Sequence, residues 1–161
     1  MLVGLFMVAA SNLNAEPAKT APETRRDLVI VVTENLVGPR GESHGFNRVA
    51  RVFTNVFEAR KWPVKIRAER FAANTKTHAT ELQVFLKGIR QDIPGEYEFY
   101  AWVTFADRGK KLDMGIVKGT YYPRFLEPMD DVLDGAVKAA AEKIANKIQP
   151  ILLRSVQKTG S

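Results

Sequence analysis

Residues 97–105, YEFYAWVTF, decide the fold of this chain, because apolar side chains stand at every second position. One register of the stretch contains Tyr97, Phe99, Ala101, Val103 and Phe105. A strict period of two is typical of a β-strand that lies with one face on a core. The stretch therefore predicts a strand whose odd-numbered residues point inward.

Three neighbouring segments alternate in the same way, and they are residues 64–69 (VKIRAE), 82–87 (LQVFLK) and 112–117 (LDMGIV). In the last of them we expect Leu112, Met114 and Ile116 to face the core. Turn residues lie at 93–96 (IPGE) and at 106–110 (ADRGK), each with a glycine available for a positive φ. Together these segments predict an antiparallel sheet with one buried face.

One further strand and two helices flank these segments. Residues 27–33, DLVIVVT, form a β-branched run that predicts a strand buried on both faces. Apolar residues recur with helical spacing over 46–61 and over 128–148, so each range predicts an amphipathic helix. We expect Pro150 to end or kink the second helix.

The element order is therefore β-α-β-β-β-β-α. We predict an α+β fold, a two-layer sandwich in which two helices cover one face of a mainly antiparallel sheet of about five strands. The expected domain is residues 27–155, which is a size that buries a core of its own.

The N-terminal residues predict export. Residues 1–15, MLVGLFMVAASNLNA, carry no charged side chain and combine a short apolar run with a small residue at the end. This is the layout of a secretory signal peptide, and the run is too short to span a bilayer. Residues 16–26 predict a polar linker, and residues 156–161 predict a tail. The chain is thus expected to be periplasmic or secreted in a bacterial envelope, with no transmembrane segment after cleavage.

Composition narrows the chemistry. The chain has 161 residues, no cysteine and a formal net charge of +6. Disulfides, thiolate catalysis and Cys-bound metals are excluded, and so is a lipid attached to an N-terminal Cys. Positive charge favours anionic lipid or glycan as ligands, whereas export argues against nucleic acid.

Candidate catalytic and metal-binding groups each have a structural explanation. Ser43 and His44 are adjacent in a glycine-rich loop, without the facing geometry that a nucleophile and its base require. The glycines at 38, 41 and 45 match no phosphate-binding motif. His78 lies far from His44 in sequence, and the aspartates at 130, 131 and 134 suit the first turns of a helix. We therefore predict no catalytic residue, no cofactor and no metal ligand.

The face of the sheet opposite the helices is the strongest functional candidate. Aromatic and basic residues share this register, and they are Lys65, Arg67, Phe85, Lys87, Tyr100 and Trp102, with Tyr121 as a further candidate. Such a surface suits a protein interface or self-association, and exposed aromatics also stabilise strands through cross-strand pairs.

The layout resembles a broad group of small bacterial envelope domains that occur as outer-membrane lipoproteins or periplasmic proteins. The resemblance covers residues 27–148 and rests on the order of DLVIVVT, FNRVARVFTNVFEARKW, PVKIRAERF, TELQVFLKGI, YEFYAWVTF and KLDMGIVKGTYY before a C-terminal helix. The chain departs from lipoprotein members because it has no Cys at the expected cleavage site, so we expect no lipid anchor. No functional residue follows from the resemblance.

The expected function is that of an exported, non-catalytic protein that binds or assembles with another envelope component. Two alternatives stay open. The first is a periplasmic hydrolase using carboxylates with His44 or His78, and the second is a module that binds anionic lipid or glycan through the positive surface.

Overall fold

The computed structural model describes residues 26–34, 44–72 and 78–157. Its elements in chain order are β1 (Arg26–Glu34), α1 (His44–Ala59), β2 (Val64–Arg70), β3 (Thr80–Ile93), β4 (Glu96–Asp107), β5 (Lys110–Tyr121) and α2 (Met129–Gln157). This order and the α+β arrangement confirm the predicted fold class. The predicted signal peptide, most of the predicted linker and glycine-rich loop, and the end of the predicted tail lie outside the described residues.

The sheet is mixed. Its strand order is β2-β1-β3-β4-β5, with β1 parallel to both β2 and β3 and with antiparallel pairing from β3 to β5. The predicted antiparallel pairing is present from β3 to β5, whereas both pairings of β1 are parallel. The reason lies in the apolar β1 run, which takes a central position because Leu28 through Val32 are buried on both faces. The α1 crossover then returns the chain parallel to β1.

Both predicted turns close hairpins. The β3–β4 turn has Gly95 at φ 84°, after a proline that fixes the preceding φ. The β4–β5 turn has Arg108 at φ 48° and Gly109 at φ 79°. Two successive positive φ values characterise a type I′ turn, whose twist matches that of the strands it joins.

Both helices lie on one face of the sheet and bury a single core. Phe53 of α1 contacts Phe57 and Phe99, with ring centroids 5.7 and 6.3 Å apart. Phe57 also packs on Trp62, at 5.3 Å. This face of β4 carries Phe99, Ala101, Val103 and Phe105, so the register predicted from residues 97–105 is confirmed there.

Helix α2 approaches β5 unusually closely at glycine positions. A Cβ atom on Gly119 would overlap backbone atoms of Ala136 and Ala140, and it would lie 2.8 Å from the Ala140 Cβ. On the helix side, a Cβ on Gly135 would lie 2.5 Å from the Tyr121 ring. The absence of side chains at both glycines therefore sets the spacing of this helix and strand.

We expected Pro150 to end or kink the second helix, and α2 continues through Pro150 to Gln157, so an end at Pro150 is wrong. Burial explains the continuation, because Ile148 and Leu152 on either side of the proline are buried in the core. Pro150 itself is exposed, and so is Asn146, whose carbonyl loses its helical hydrogen bond because proline has no N–H.

Ion pairs join the two helices at one end. Arg48 reaches Asp130 at 2.6 Å and Asp134 at 3.2 Å, and Arg51 reaches Asp134 at 2.5 Å. These aspartates therefore hold α2 against α1, in addition to complementing the helix dipole. In the described part of the chain, no group of three or more His, Asp or Glu side chains is placed to hold a metal ion.

Candidate functional site

Three apolar side chains form a row across the sheet face that turns away from the helices. Phe85 of β3 pairs with Trp102 of β4, and Trp102 pairs with Ile116 of β5. We call these three residues the outer row. Trp102 is 42% exposed and Ile116 is 57% exposed, while Phe85 is half-buried. Directly paired cross-strand side chains touch, so the row forms one continuous apolar patch.

Cations cover one aromatic ring of the outer row and a second ring beside it. The Lys87 Nζ lies 4.3 Å from the centroid of the Phe85 ring, and the Arg90 guanidinium lies 5.0 Å from that of Tyr100. A register shift between Leu86 and Gly88 leaves Lys87 unpaired in the strand ladder. Sequence prediction placed Lys87 and Tyr100 correctly on this face, and the structure shows that each takes part in a cation–π contact there.

A carboxylate balances the charge on the same side of the row. Glu98 is largely buried, and its Oε2 lies 3.5 Å from the Lys118 Nζ and 3.6 Å from the Arg90 guanidinium. Glu98 therefore forms ion pairs with two of the cations near the row, Lys118 and Arg90. The surroundings of the outer row combine both signs of charge, which is typical of the rim of a protein interface.

Lys65 and Arg67 lie on the same face but away from the outer row. Both belong to the edge strand β2, and β1 separates β2 from β3. Arg67 is engaged locally, with its Nε 3.4 Å from Asp27 and its NH1 3.1 Å from Glu69. Phe85 pairs with Thr33 of β1, whereas Arg67 and Lys65 pair with Val29 and Asp27. Two strand spacings and this offset along the strands place them roughly 16 to 22 Å from Phe85, where they form a separate charged cluster.

His78 belongs to this second cluster. Its Nε2 lies 3.2 Å from Glu69 Oε2, and its backbone N–H donates to Glu81 Oε2 at 3.2 Å. Arg67 approaches the other ring nitrogen at 3.5 Å. These contacts could not be predicted from the sequence, because Glu69 and Arg67 lie on β2, nine and eleven residues before His78, and no local pattern marks that separation.

The structure places Tyr121 on the helix face, so its assignment to the outer face is wrong. Tyr97, which pairs with Tyr121, shares the inward register of Phe99. The ring of Tyr121 lies against Gly135 of α2. The expected inward position of Ile116 is wrong for the same reason.

A bulge in β5 reverses the predicted facing. The register shifts between Asp113 and Gly115, where Gly115 has φ 65° and donates its N–H to Asp113 Oδ1 at 2.9 Å. One extra residue sends every later side chain to the opposite face. The signal was present in the sequence as Asp-Met-Gly at 113–115, since Asp commonly accepts from the backbone two residues on.

Comparisons with known proteins show no family for this chain. No family model matches the chain, and no curated protein matches it. The PelC dodecamer from Paraburkholderia phytofirmans aligns with 12% identity over 70% of this chain and 81% of that one, at a TM-score of 0.45.

Two further solved structures are similar at the same level. A provisionally assigned lipoprotein from Caulobacter crescentus CB15 has 15% identity over 81% of this chain and 91% of its own, at a TM-score of 0.38. A provisionally assigned homologue of the neuraminyllactose-binding hemagglutinin from Helicobacter pylori has 11% identity over 87% of this chain and 91% of its own, at a TM-score of 0.39. Such likenesses say nothing about function. Among the described helices, none is both long enough and apolar enough to cross a membrane.

Proposed function

We propose that this chain is an exported, non-catalytic protein of the cell envelope that binds a protein partner, or a second copy of itself, through the outer row. The observation that supports the proposal is the in-register alignment of Phe85, Trp102 and Ile116 on three adjacent strands. Strand alternation normally places polar residues on a sheet face that turns to water. A continuous apolar row there is typical of an interaction surface.

The composition of the row suits a small centre of binding energy. Tryptophan is enriched at the centres of interfaces, where burial excludes water around it. Full burial of a large apolar side chain contributes about 1.5–3 kcal/mol. The exposed parts of Trp102 and Ile116 amount to about one such side chain, so burying both contributes about 1.5–3 kcal/mol. A stable complex therefore also needs Tyr100, Lys87 and Lys118 in its rim, because specific interfaces bury roughly 1,000 Å² or more.

The charges around the row favour a protein over a polyanion. Lys118 and Arg90 both face Glu98, and Lys87 covers the ring of Phe85. An anionic glycan or lipid headgroup bound here would have to compete with an existing carboxylate. A protein partner can instead bury the apolar centre and leave these pairs at the periphery.

A hydrolase is a second candidate with one supporting observation, the 3.2 Å contact between His78 and Glu69. A carboxylate beside an imidazole is the arrangement that orients a general base. Arg67, however, contacts both groups, and this ionic network explains the contact without catalysis. The His78→Ala variant tests the alternative, because a hydrolytic activity towards pooled ester, glycan and peptide substrates should disappear with the imidazole.

The binding proposal is tested by replacing the exposed members of the outer row. We expect Trp102→Ala combined with Ile116→Ser to reduce partner capture, or to shift the self-association constant, by at least tenfold. Leu153→Ala is the matched control, because Leu153 is 40% exposed and lies on α2, in the other layer. Sedimentation at several concentrations reports self-association, and purification of the tagged chain from its own cells reports other partners. Unchanged behaviour of the double variant in both experiments would refute the proposal.

The location is tested separately by cell fractionation and intact-mass measurement. Export predicts a periplasmic or secreted chain that begins at Glu16, after loss of residues 1–15. A cytoplasmic chain that keeps Met1 would contradict the export part of the proposal. It would not decide whether the outer row binds a protein, which the capture and sedimentation experiments test.

A further inference from the structure

A tight turn between β5 and α2 exposes two large apolar side chains. The turn consists of Arg124, Phe125, Leu126 and Glu127, and the Glu127 N–H donates to the Arg124 carbonyl at 3.1 Å. Phe125 is 93% exposed and Leu126 is 86% exposed. No other large apolar residue in the described part of the chain is as open to solvent as these two.

Polar contacts hold this turn in place. The carboxylate of Glu127 accepts from the Arg124 N–H at 2.8 Å and from the Tyr121 hydroxyl at 2.8 Å. The backbone hydrogen bond lowers the pKa of Glu127, with a further contribution from the Tyr121 hydroxyl, and the bond to Glu127 raises the pKa of Tyr121. The shape of the turn therefore does not depend on burying Phe125 or Leu126.

The backbone conformation at Leu126 is one that disfavours a leucine. Its φ is 62°, in the left-handed region, while Phe125 before it has no positive φ. This matches a type II turn, in which the third position favours Gly or Asn because a larger side chain is strained there. A strained, exposed leucine points to a role outside the fold.

Other exposed apolar residues lie at the same edge of the sheet. Tyr97 pairs with Tyr121, so the last residues of β5 and the β3–β4 turn lie together where the strands end, and this end of the sheet is what we call an edge below. Ile93 in that turn, Tyr122 and Met129 are each more than half exposed. We call this set of five residues, Ile93, Tyr122, Phe125, Leu126 and Met129, the apolar edge.

We propose that the apolar edge docks on a lipid surface, with Phe125 and Leu126 inserted at the boundary between headgroups and acyl chains. The residues stand on separate loops as projecting points, and a bilayer accepts such points without a complementary socket. A protein interface would instead need a well-packed patch of roughly 1,000 Å². Tyr122 and Arg124 beside the tip are side chains that keep a polar end at the headgroup level while an apolar part is buried.

The charged groups next to the turn are mainly acidic, since Glu96 lies close enough to Tyr122 to raise the pKa of its hydroxyl, and Asp131 lies in the first turn of α2. Glu127 is engaged within the turn, and Asp130 pairs with Arg48 at 2.6 Å. The formal net charge of +6 belongs to the whole chain and supplies no local attraction at the apolar edge, so we expect neutral and anionic vesicles to be bound alike. Insertion of the apolar tip is expected to outlast added salt, because burial of apolar surface is not screened.

The test uses the full chain and vesicles of phosphatidylcholine, with and without phosphatidylglycerol, in a flotation assay at 0.1 and 0.5 M salt. We expect Phe125→Ser combined with Leu126→Asn to reduce the partition coefficient at least tenfold. Asn tolerates a positive φ, so this variant should keep the turn and the fold. Leu112→Ser is the matched control, since Leu112 is 37% exposed and lies at the other end of β5, beside the β4–β5 turn.

A second measurement locates the tip directly, whatever the contribution of other segments. A Phe125→Trp variant should show fluorescence that shifts to the blue on vesicle binding and that is quenched by lipids brominated on the acyl chain, beyond any change seen in the unsubstituted protein. Equal flotation of the tip variant and the control, or a Trp at 125 that is not quenched, would overturn the proposal. Failure of all vesicle binding would do so too and would favour a protein socket. The Trp102→Ala variant should float normally, so the outer row is judged independently.

Discussion

A methyl group added at Gly119 should disrupt the packing of α2 on β5. The new Cβ would lie within 3.0 Å of backbone atoms of Ala136 and Ala140, and backbone atoms cannot turn aside as a side chain does. The helix would have to move away by roughly 1 Å to restore ordinary contact distances in a close-packed core. Overpacking of this kind costs about 1–3 kcal/mol, and the upper end applies because α2 carries much of the core, from Val132 to Leu152.

The assay is urea unfolding of Gly119→Ala beside a matched glycine in the same sheet. Gly88→Ala introduces the same methyl group on the outer face, where the nearest atom is the Tyr100 hydroxyl at 3.2 Å, at the end of a side chain. Replacing Gly by Ala also reduces the entropy of the unfolded chain, and this effect is common to both variants. We expect Gly119→Ala to be at least 2 kcal/mol less stable than Gly88→Ala. Equal stabilities within about 0.5 kcal/mol would refute the reasoning that the glycine sets the spacing.

Three further outcomes are expected. Pro150→Ala should raise the free energy of unfolding by about 1–3 kcal/mol, because it restores the N–H donor to the Asn146 carbonyl in an exposed part of α2, and a drop in stability would contradict this explanation. Glu127→Gln should lower the melting temperature at pH 7, and the difference should shrink as the pH falls. The lowered pKa of Glu127 means that its ionised form stabilises the fold above the ordinary value of 4.5 and that this stabilisation is lost as the pH falls through the lowered value, so a pH-independent difference would count against it. Removing both arginines, Arg48→Ala with Arg51→Ala, should loosen the contact between α1 and α2 by about 1–2 kcal/mol and raise amide exchange in the first turns of α2, whereas unchanged exchange would show that the ion pairs are solvated and weak.

The elements that depend on local pattern could be predicted from the sequence. The alternation in residues 97–105 gives β4 and its inward register, and the apolar stripe of α1 gives the helix that packs on it. Both signals are repeated over many residues, so tertiary contacts reinforce them. The two hairpin turns were equally readable, because Gly95 and Gly109 supply the positive φ that each turn needs.

The remaining features depend on contacts that a periodic pattern does not contain. The bulge at Asp113–Gly115 adds a single residue, and this is enough to send Ile116 outward and Tyr121 inward. Helix α2 passes through Pro150 because burial of Leu152 outweighs a local rule. The parallel pairing of β1 with β2 and β3 could not be predicted either, since a continuous apolar run indicates a central strand but does not show which strands pair with it.

The candidate site was likewise predictable where it depends on strand alternation and not elsewhere. Phe85, Tyr100 and Trp102 were placed on the outer face by alternation, whereas Ile116 was not, although it is the most exposed member of the outer row. The apolar edge was not found at all, because no periodicity marks a loop. Its signal is local: an aromatic and a leucine between two prolines, at 123 and 128, in a segment that otherwise reads as a turn.

The proposal that the outer row binds a protein is tested most directly by photo-cross-linking in the native cells. A benzophenone amino acid placed at Ile116 should yield a discrete covalent adduct, either with an identifiable envelope protein or with a second copy of this chain, and adding Trp102→Ala should remove that adduct. The same probe at Leu153 should give none. No adduct from position 116, or an adduct of equal yield from position 153, would contradict the account.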